Sequence, residues 1–225
     1  MRYFFEGRIQ VDEEGGLIQI PFNVWEVCKY REVIKADIIF DNKQINCDLL
    51  PADNKGYYNI SLTDKDLKDV DLSHPHKILM HVSGSLIKID QNSPYDFRNP
   101  IRKIDNIELI CQEDDGLCGQ TVVAMLANKT IAEIISVMDC REWQGTMGRM
   151  ISALNYYGID HSDVICFTQG NTEVVFPKCC ILMEKMARFS HYLLYFNGTF
   201  YDPNLGILEE YDVSKLNGYL EIKVG

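Results

Sequence analysis

Cys111-Gln112-Glu113-Asp114-Asp115-Gly116-Leu117-Cys118-Gly119-Gln120-Thr121-Val122-Val123-Ala124-Met125-Leu126 is the stretch where the chain changes character. An acidic run and a glycine stop at Leu117, and the residues that follow are small and apolar. The spacing predicts a compact helix over 119–126 with Cys118 at its mouth. Unpaired N–H groups and the positive end of the helix dipole favour a negative charge there, and hence the thiolate. Gly119 leaves a substrate backbone room to approach the sulfur. Gln112, six residues upstream, is placed to aim its amide at an oxyanion beside the Cys118 N–H.

Two further helices follow. Thr130-Ile131-Ala132-Glu133 is a capping box, opening a helix whose apolar face is Ile134, Ile135 and Val137. Thr146 caps a third, with Met147, Met150, Ile151 and Leu154 at spacings of three and four, stopped at Gly158. Strands are then predicted at 164–167, 174–176, 180–183, 191–196, 199–201 and 219–224. Helices first and strands later is an α+β pattern.

Within it, His191-Tyr192-Leu193-Leu194-Tyr195-Phe196-Asn197-Gly198-Thr199-Phe200-Tyr201-Asp202-Pro203 reads as a tight hairpin, because Asn-Gly is the preferred two-residue turn. Closing there pairs Phe196 with Thr199 and Leu193 with Asp202. His191 and Asp202 then share a face as diagonal neighbours, about 7–8 Å apart at Cα and within reach of a His–carboxylate hydrogen bond. The carboxylate would fix the imidazole tautomer and leave the other ring nitrogen for the thiol.

Residues 1–90 alternate like strands. Runs near 3–9, 17–20, 33–40, 43–50, 57–62, 77–82 and 86–89, with short helices at 22–30 and 63–70, describe a small β-barrel-like domain. Phe5-Glu6-Gly7, Ile20-Pro21-Phe22, Ala36–Phe40, Asp48-Leu49-Leu50-Pro51, Gly56-Tyr57-Tyr58 and Ile60-Ser61-Leu62 resemble a bacterial domain family of unassigned function with a swapped-hairpin, AbrB-like barrel. That resemblance implies a fold and a bacterial source but no activity. Residues 91–107, rich in proline and asparagine at their start, read as a linker to a second domain over 108–225.

The 225 residues carry a net charge of −11, with 12 Lys and Arg against 16 Asp and Glu in residues 1–100 and 10 against 17 in residues 101–225. Neither half has the basic footprint of nucleic-acid binding. No apolar run reaches the roughly 18 residues of a membrane span, and Glu6 interrupts the N-terminus too early for a signal peptide. A cytoplasmic location is expected, with no membrane partner. The eight cysteines show neither C-x-x-C spacing nor a zinc ligand set, so most of them, Cys118 apart, read as reduced core residues and no metal or cofactor is expected. His74, His76 and His81 read as a solvated loop and its neighbouring strand. Trp143 and Gln144 are placed to line a cleft.

Taken with its order, the second half resembles the papain-like cysteine peptidases of the bacteriocin-processing, double-glycine leader family. The matching pieces are Gln112 six before Cys118, Cys118-Gly119, the helix through Met125, His191 opening an apolar strand, and Asp202-Pro203, spanning about residues 108–206. Leu117 departs from the aspartate often found there. The resemblance implies a papain-like fold with Cys118 as nucleophile, His191 as base, Asp202 as orienter and Gln112 as oxyanion donor, acting on a peptide or protein substrate. The same constellation serves a thiol-dependent acyltransferase, and a retired site would leave a non-enzymatic binding protein.

Overall fold

A computed structural model describes residues 1–13, 15–27, 34–52, 56–82, 93–186 and 189–224. It combines strands with a few short helices in a mixed α+β architecture. The chain divides into two compact units, Met1–Leu86 with Val164–Phe167, and Ile87–Asp163 with Thr168–Gly225.

The first unit is built on β1 (Arg2–Gly7), β2 (Ile9–Asp12), β3 (Gly15–Gln19), α1 (Val24–Val27), β4 (Ile34–Phe40), β5 (Lys43–Pro51), β6 (Tyr58–Leu62), α2 (Asp64–Leu67) and β7 (His76–Val82). Alternate residues point inward: Tyr3 and Phe5 of β1, Ile34, Ala36, Ile38 and Phe40 of β4, Ile78, Met80 and Val82 of β7. The β4–β5 hairpin turns on Asp41 and Asn42, both at positive φ (48° and 61°), the two-residue geometry whose twist matches its strands.

Strand neighbours run β1-β7-β4-β5-β6-β3-β2, with Arg2–Phe4 also pairing parallel to Val164–Cys166. Among the described residues no pairing brings β2 back to the far edge, so the sheet is open and the barrel the alternation suggested is not closed. Of the helix expected over 22–30, α1 covers Val24–Val27 and residues 28–30 lie outside the described residues, as does the strand expected over 86–89. His76 departs from the solvated-loop reading. It opens β7 buried against Phe40, with Nδ1 2.7 Å from the Asp41 carboxylate.

In the second unit α3 (Cys118–Ala127), α4 (Ile131–Met138) and α5 (Met147–Tyr156) precede β9 (Cys179–Met186), β10 (Phe189–Phe196), β11 (Thr199–Asp202), β12 (Gly206–Leu208) and β13 (Leu216–Ile222), with β8 (His161–Phe167) shared between the units. The sheet order is β12-β11-β10-β9-β13, antiparallel throughout.

Every residue of α3 after Cys118 is buried, because α4, α5 and β10 surround it. A helix enclosed this way cannot rotate without breaking its packing, so its first residue is held in place. Tyr192 of β10 reaches the helices, its hydroxyl accepting the Met147 N–H at 3.1 Å. α5 ends where the sequence places its stop. Gly158 at φ +66° donates to Asn155 and Ile159 donates to Leu154, the two bonds of a left-handed helix terminus.

Residues 93–103 lie against this terminus, with Ser93 Oγ donating to the Tyr156 carbonyl and the Ile101 N–H to the Tyr157 carbonyl (2.9 Å). The strand predicted over 174–176 does not form. Phe176 instead packs its ring among Tyr195, Phe200 and Tyr211. β12 carries too short a pattern, three residues starting at a glycine with φ +87°, to be read from sequence.

The capping box at Thr130 is complete: its hydroxyl oxygen accepts the Glu133 N–H, and its own N–H donates to the Glu133 carboxylate. The Thr130 N–H, the Lys129 ammonium and the Thr130 hydroxyl all donate to that carboxylate and hold it down to about 2. Thr130→Ala is expected to cost about 1 kcal/mol, read as a fall of roughly 2–4 °C in the thermal midpoint.

Candidate active site

Cys118 is the first residue of α3, half-buried, with Leu117 preceding it and no side-chain cap on the helix. The free first turn is therefore presented to whatever lies at the sulfur. The sulfur sits 4.0 Å from the carbonyl oxygen of Ser190 in β10. Gly119 serves a different purpose from the one its position suggested. A Cβ there would lie 3.1 Å from the Gly145 carbonyl and 3.3 Å from the Met150 sulfur, so the missing side chain admits the neighbouring loop and α5.

The hairpin closes in the expected register. Phe196 faces Thr199, Tyr195 faces Phe200 and Leu194 faces Tyr201, around Asn197 (φ 48°) and Gly198 (φ 92°). His191 and Asp202 emerge together, 8% and 4% exposed, and Nε2 of His191 donates to Asp202 Oδ2 at 3.1 Å. Nδ1 is left as the ring nitrogen free of Asp202, on the residue that follows Ser190, whose carbonyl is 4.0 Å from the Cys118 sulfur.

The second carboxylate oxygen is also committed: Oδ1 accepts the Asn204 N–H at 2.7 Å and the Leu205 N–H at 3.2 Å. Burial works against the charge on His191, but the hydrogen bonds and charges of Asp202 and Cys118 outweigh it and raise its pKa to about 10. Burial likewise opposes the Asp202 carboxylate. Its bonds to His191 and the Asn204 N–H, the imidazolium charge and the Leu205 N–H prevail and lower its pKa.

Gln112 is tied to the same end of the site by its backbone, its N–H donating to the Pro203 carbonyl at 2.9 Å. Its side-chain oxygen is buried and makes no hydrogen bond among the described residues. The structure thus gathers Cys118, His191 and Asp202 and anchors Gln112 beside the residue that follows Asp202. Trp143 is 57% exposed on the loop before α5. Gln144 instead closes that loop on itself, its Oε1 accepting the Arg141 N–H at 3.2 Å. Phe189 escaped the sequence reading. It is half exposed, two residues before His191, with its ring centroid 5.0 Å from Trp143. Its one sequence signal was an aromatic residue placed just ahead of the histidine.

Among the described residues no group of three or more His, Cys, Asp or Glu side chains is placed to hold a metal ion. No single described helix is long and apolar enough to cross a membrane.

No family model matches the chain, and comparison with curated proteins finds no match. Among solved structures, the chain is similar to the peptidase domain of Streptococcus ComA, described as a bi-functional ABC transporter involved in a quorum-sensing pathway. The identity is 16% and the TM-score 0.43, over 53% of this chain and all of the other. A likeness of that degree carries no weight for function, which rests on the site's own geometry.

Proposed function

We propose that the second unit is a cysteine hydrolase acting on peptide amides, with Cys118 as nucleophile, His191 as acid and base, and Asp202 as the group that orients His191. The observation that carries this reading is the His191–Asp202 hydrogen bond, with the Cys118 sulfur 4.0 Å from the carbonyl of Ser190, the residue before His191. A nucleophile, a base and an orienter in hydrogen-bond sequence make up the machinery of acyl transfer.

The chemistry follows from the placement. The thiol proton passes to Nδ1 of His191, and the sulfur attacks the amide carbon. The oxygen turns anionic against the Cys118 N–H, and Gln112, anchored beside Pro203, supplies the second donor. Collapse breaks the C–N bond as His191 returns its proton to the departing amine. His191 then takes a proton from water, whose oxygen attacks the thioester and releases the acid and the thiol. Asp202 stays ionised throughout and favours the charged imidazole.

Iodoacetamide labelling, read cysteine by cysteine by mass spectrometry against pH, tests this. His191 holds its proton up to about 10, and a protonated imidazole partners a thiolate. Labelling of Cys118 should therefore be fast at near-neutral pH. In His191→Ala it should be slow at neutral pH and climb with hydroxide, as an unassisted thiol does. Cys118 labelling no faster than exposed Cys111 at neutral pH would sink the hydrolase and leave a binding module.

A further inference from the structure

Trp143 is an indole held out to solvent at a conformational cost. Its φ is +62°, the left-handed region that bulky residues rarely occupy, and such outliers persist only where their surroundings hold them. The surroundings here are well braced. The Trp143 N–H donates to the Gly116 carbonyl at 2.8 Å, Gln120 Nε2 to the Arg141 carbonyl at 3.0 Å, and the Thr146 N–H to the Gln144 carbonyl at 2.9 Å. Gly116, at φ +90°, lies against the indole so closely that a Cβ would come within 2.7 Å of it.

Phe189 meets the same ring at 5.0 Å and 48°, and its cross-strand partner Met186 is also exposed. The platform is tied to the segments that carry Cys118 and His191 from two directions in the chain. Gly116 is two residues before Cys118, Phe189 is two before His191, and the carbonyl of Ser190 between them is 4.0 Å from the Cys118 sulfur. Exposed Glu113, Asp114 and Asp115 run into Gly116, and exposed Glu142 precedes Trp143, against Arg141 and Lys185 on the same segments. Exposed aromatic and methionine side chains grouped beside a reactive centre are the chemistry of an anchoring contact.

We infer that Trp143 and Phe189, with Met186 at their margin, form the subsite for a bulky apolar side chain of the peptide, and that the surrounding carboxylates select a basic residue beside it. This rests on the hydrolase reading of Cys118, His191 and Asp202. The rings supply apolar area and stacking, and the carboxylates add a screened attraction that orients the segment.

The test uses acetyl-Lys-X-Ala acyloxymethyl ketones with X as Phe, Leu or Ala. The thiolate displaces the carboxylate of the ketone to leave a thioether, counted by intact mass. The Phe probe should label Cys118 about tenfold faster than the Ala probe. That ratio should fall to within about twofold in Trp143→Ala and in Phe189→Ala, and be largely retained in Trp143→Phe. Replacing the probe lysine by glutamate should slow labelling, less so as salt is raised.

Each ratio compares probes on one protein, so a variant with a weakened thiol still reports. A flat series on wild type, a preference that survives both alanine substitutions, or faster labelling by the glutamate probe overturns the subsite. A Cys118 that passes the iodoacetamide titration but shows no probe preference removes the subsite alone; failure of that titration removes the hydrolase.

Discussion

Cys118→Ala is expected to lower peptide hydrolysis by at least about 10³-fold while moving the thermal midpoint by no more than about 2 °C. The two effects separate because of where the residue sits. Cys118 is half-buried, and its sulfur lies 4.0 Å from the Ser190 carbonyl. The rest of α3 is buried and holds the helix without it. The substitution should also lower the pKa of His191. Burial already opposes its charge, and Cys118 is, after Asp202, the partner that sustains it. An NMR titration of the imidazole would show the drop. Retained hydrolysis in the purified variant would remove Cys118 from the mechanism.

Asp202→Asn should be nearly as damaging, with a loss of about 10²–10⁴-fold in kcat, although asparagine orients the histidine in some cysteine proteases. The reason is local. Oδ1 of Asp202 accepts two backbone N–H groups, from Asn204 and Leu205. An amide at this position must turn its oxygen toward those donors, which leaves its NH2 facing His191 Nε2. Nε2 would then have to accept, the ring proton would move to Nδ1, and the nitrogen meant to receive the thiol proton would already carry one. The expected signature is a large fall in kcat with little change in KM, together with slower alkylation of Cys118 at neutral pH. A variant with near wild-type kcat would show that the amide finds another orientation and that the two N–H bonds do not decide it.

Much of this site was legible before any coordinates. Asn197-Gly198 is a turn that admits few closures, so the register, and with it the meeting of His191 and Asp202, followed from counting outward. The caps at Thr130 and Thr146 and the stop at Gly158 are similarly local, each set by bonds within a few residues. Strand 174–176 misled because Val174-Val175-Phe176 has strand composition, while the ring of Phe176 is claimed by distant Tyr195, Phe200 and Tyr211. Propensity yields to such tertiary demands. Closure of the first unit's sheet was beyond reach for a related reason. Alternation reports which face of a strand is buried, and it is silent on which strands pair at the edges.

By itself the sequence determined the periodic elements, the helix termini, the hairpin and the residue types needed for acyl transfer, because those depend on neighbours within one or two turns of chain. Tertiary structure alone decided that Gly119 makes room for Gly145 and Met150 and that the rings of Trp143 and Phe189 meet. Each joins residues tens of positions apart in sequence, and such contacts are set by packing in three dimensions rather than by local pattern.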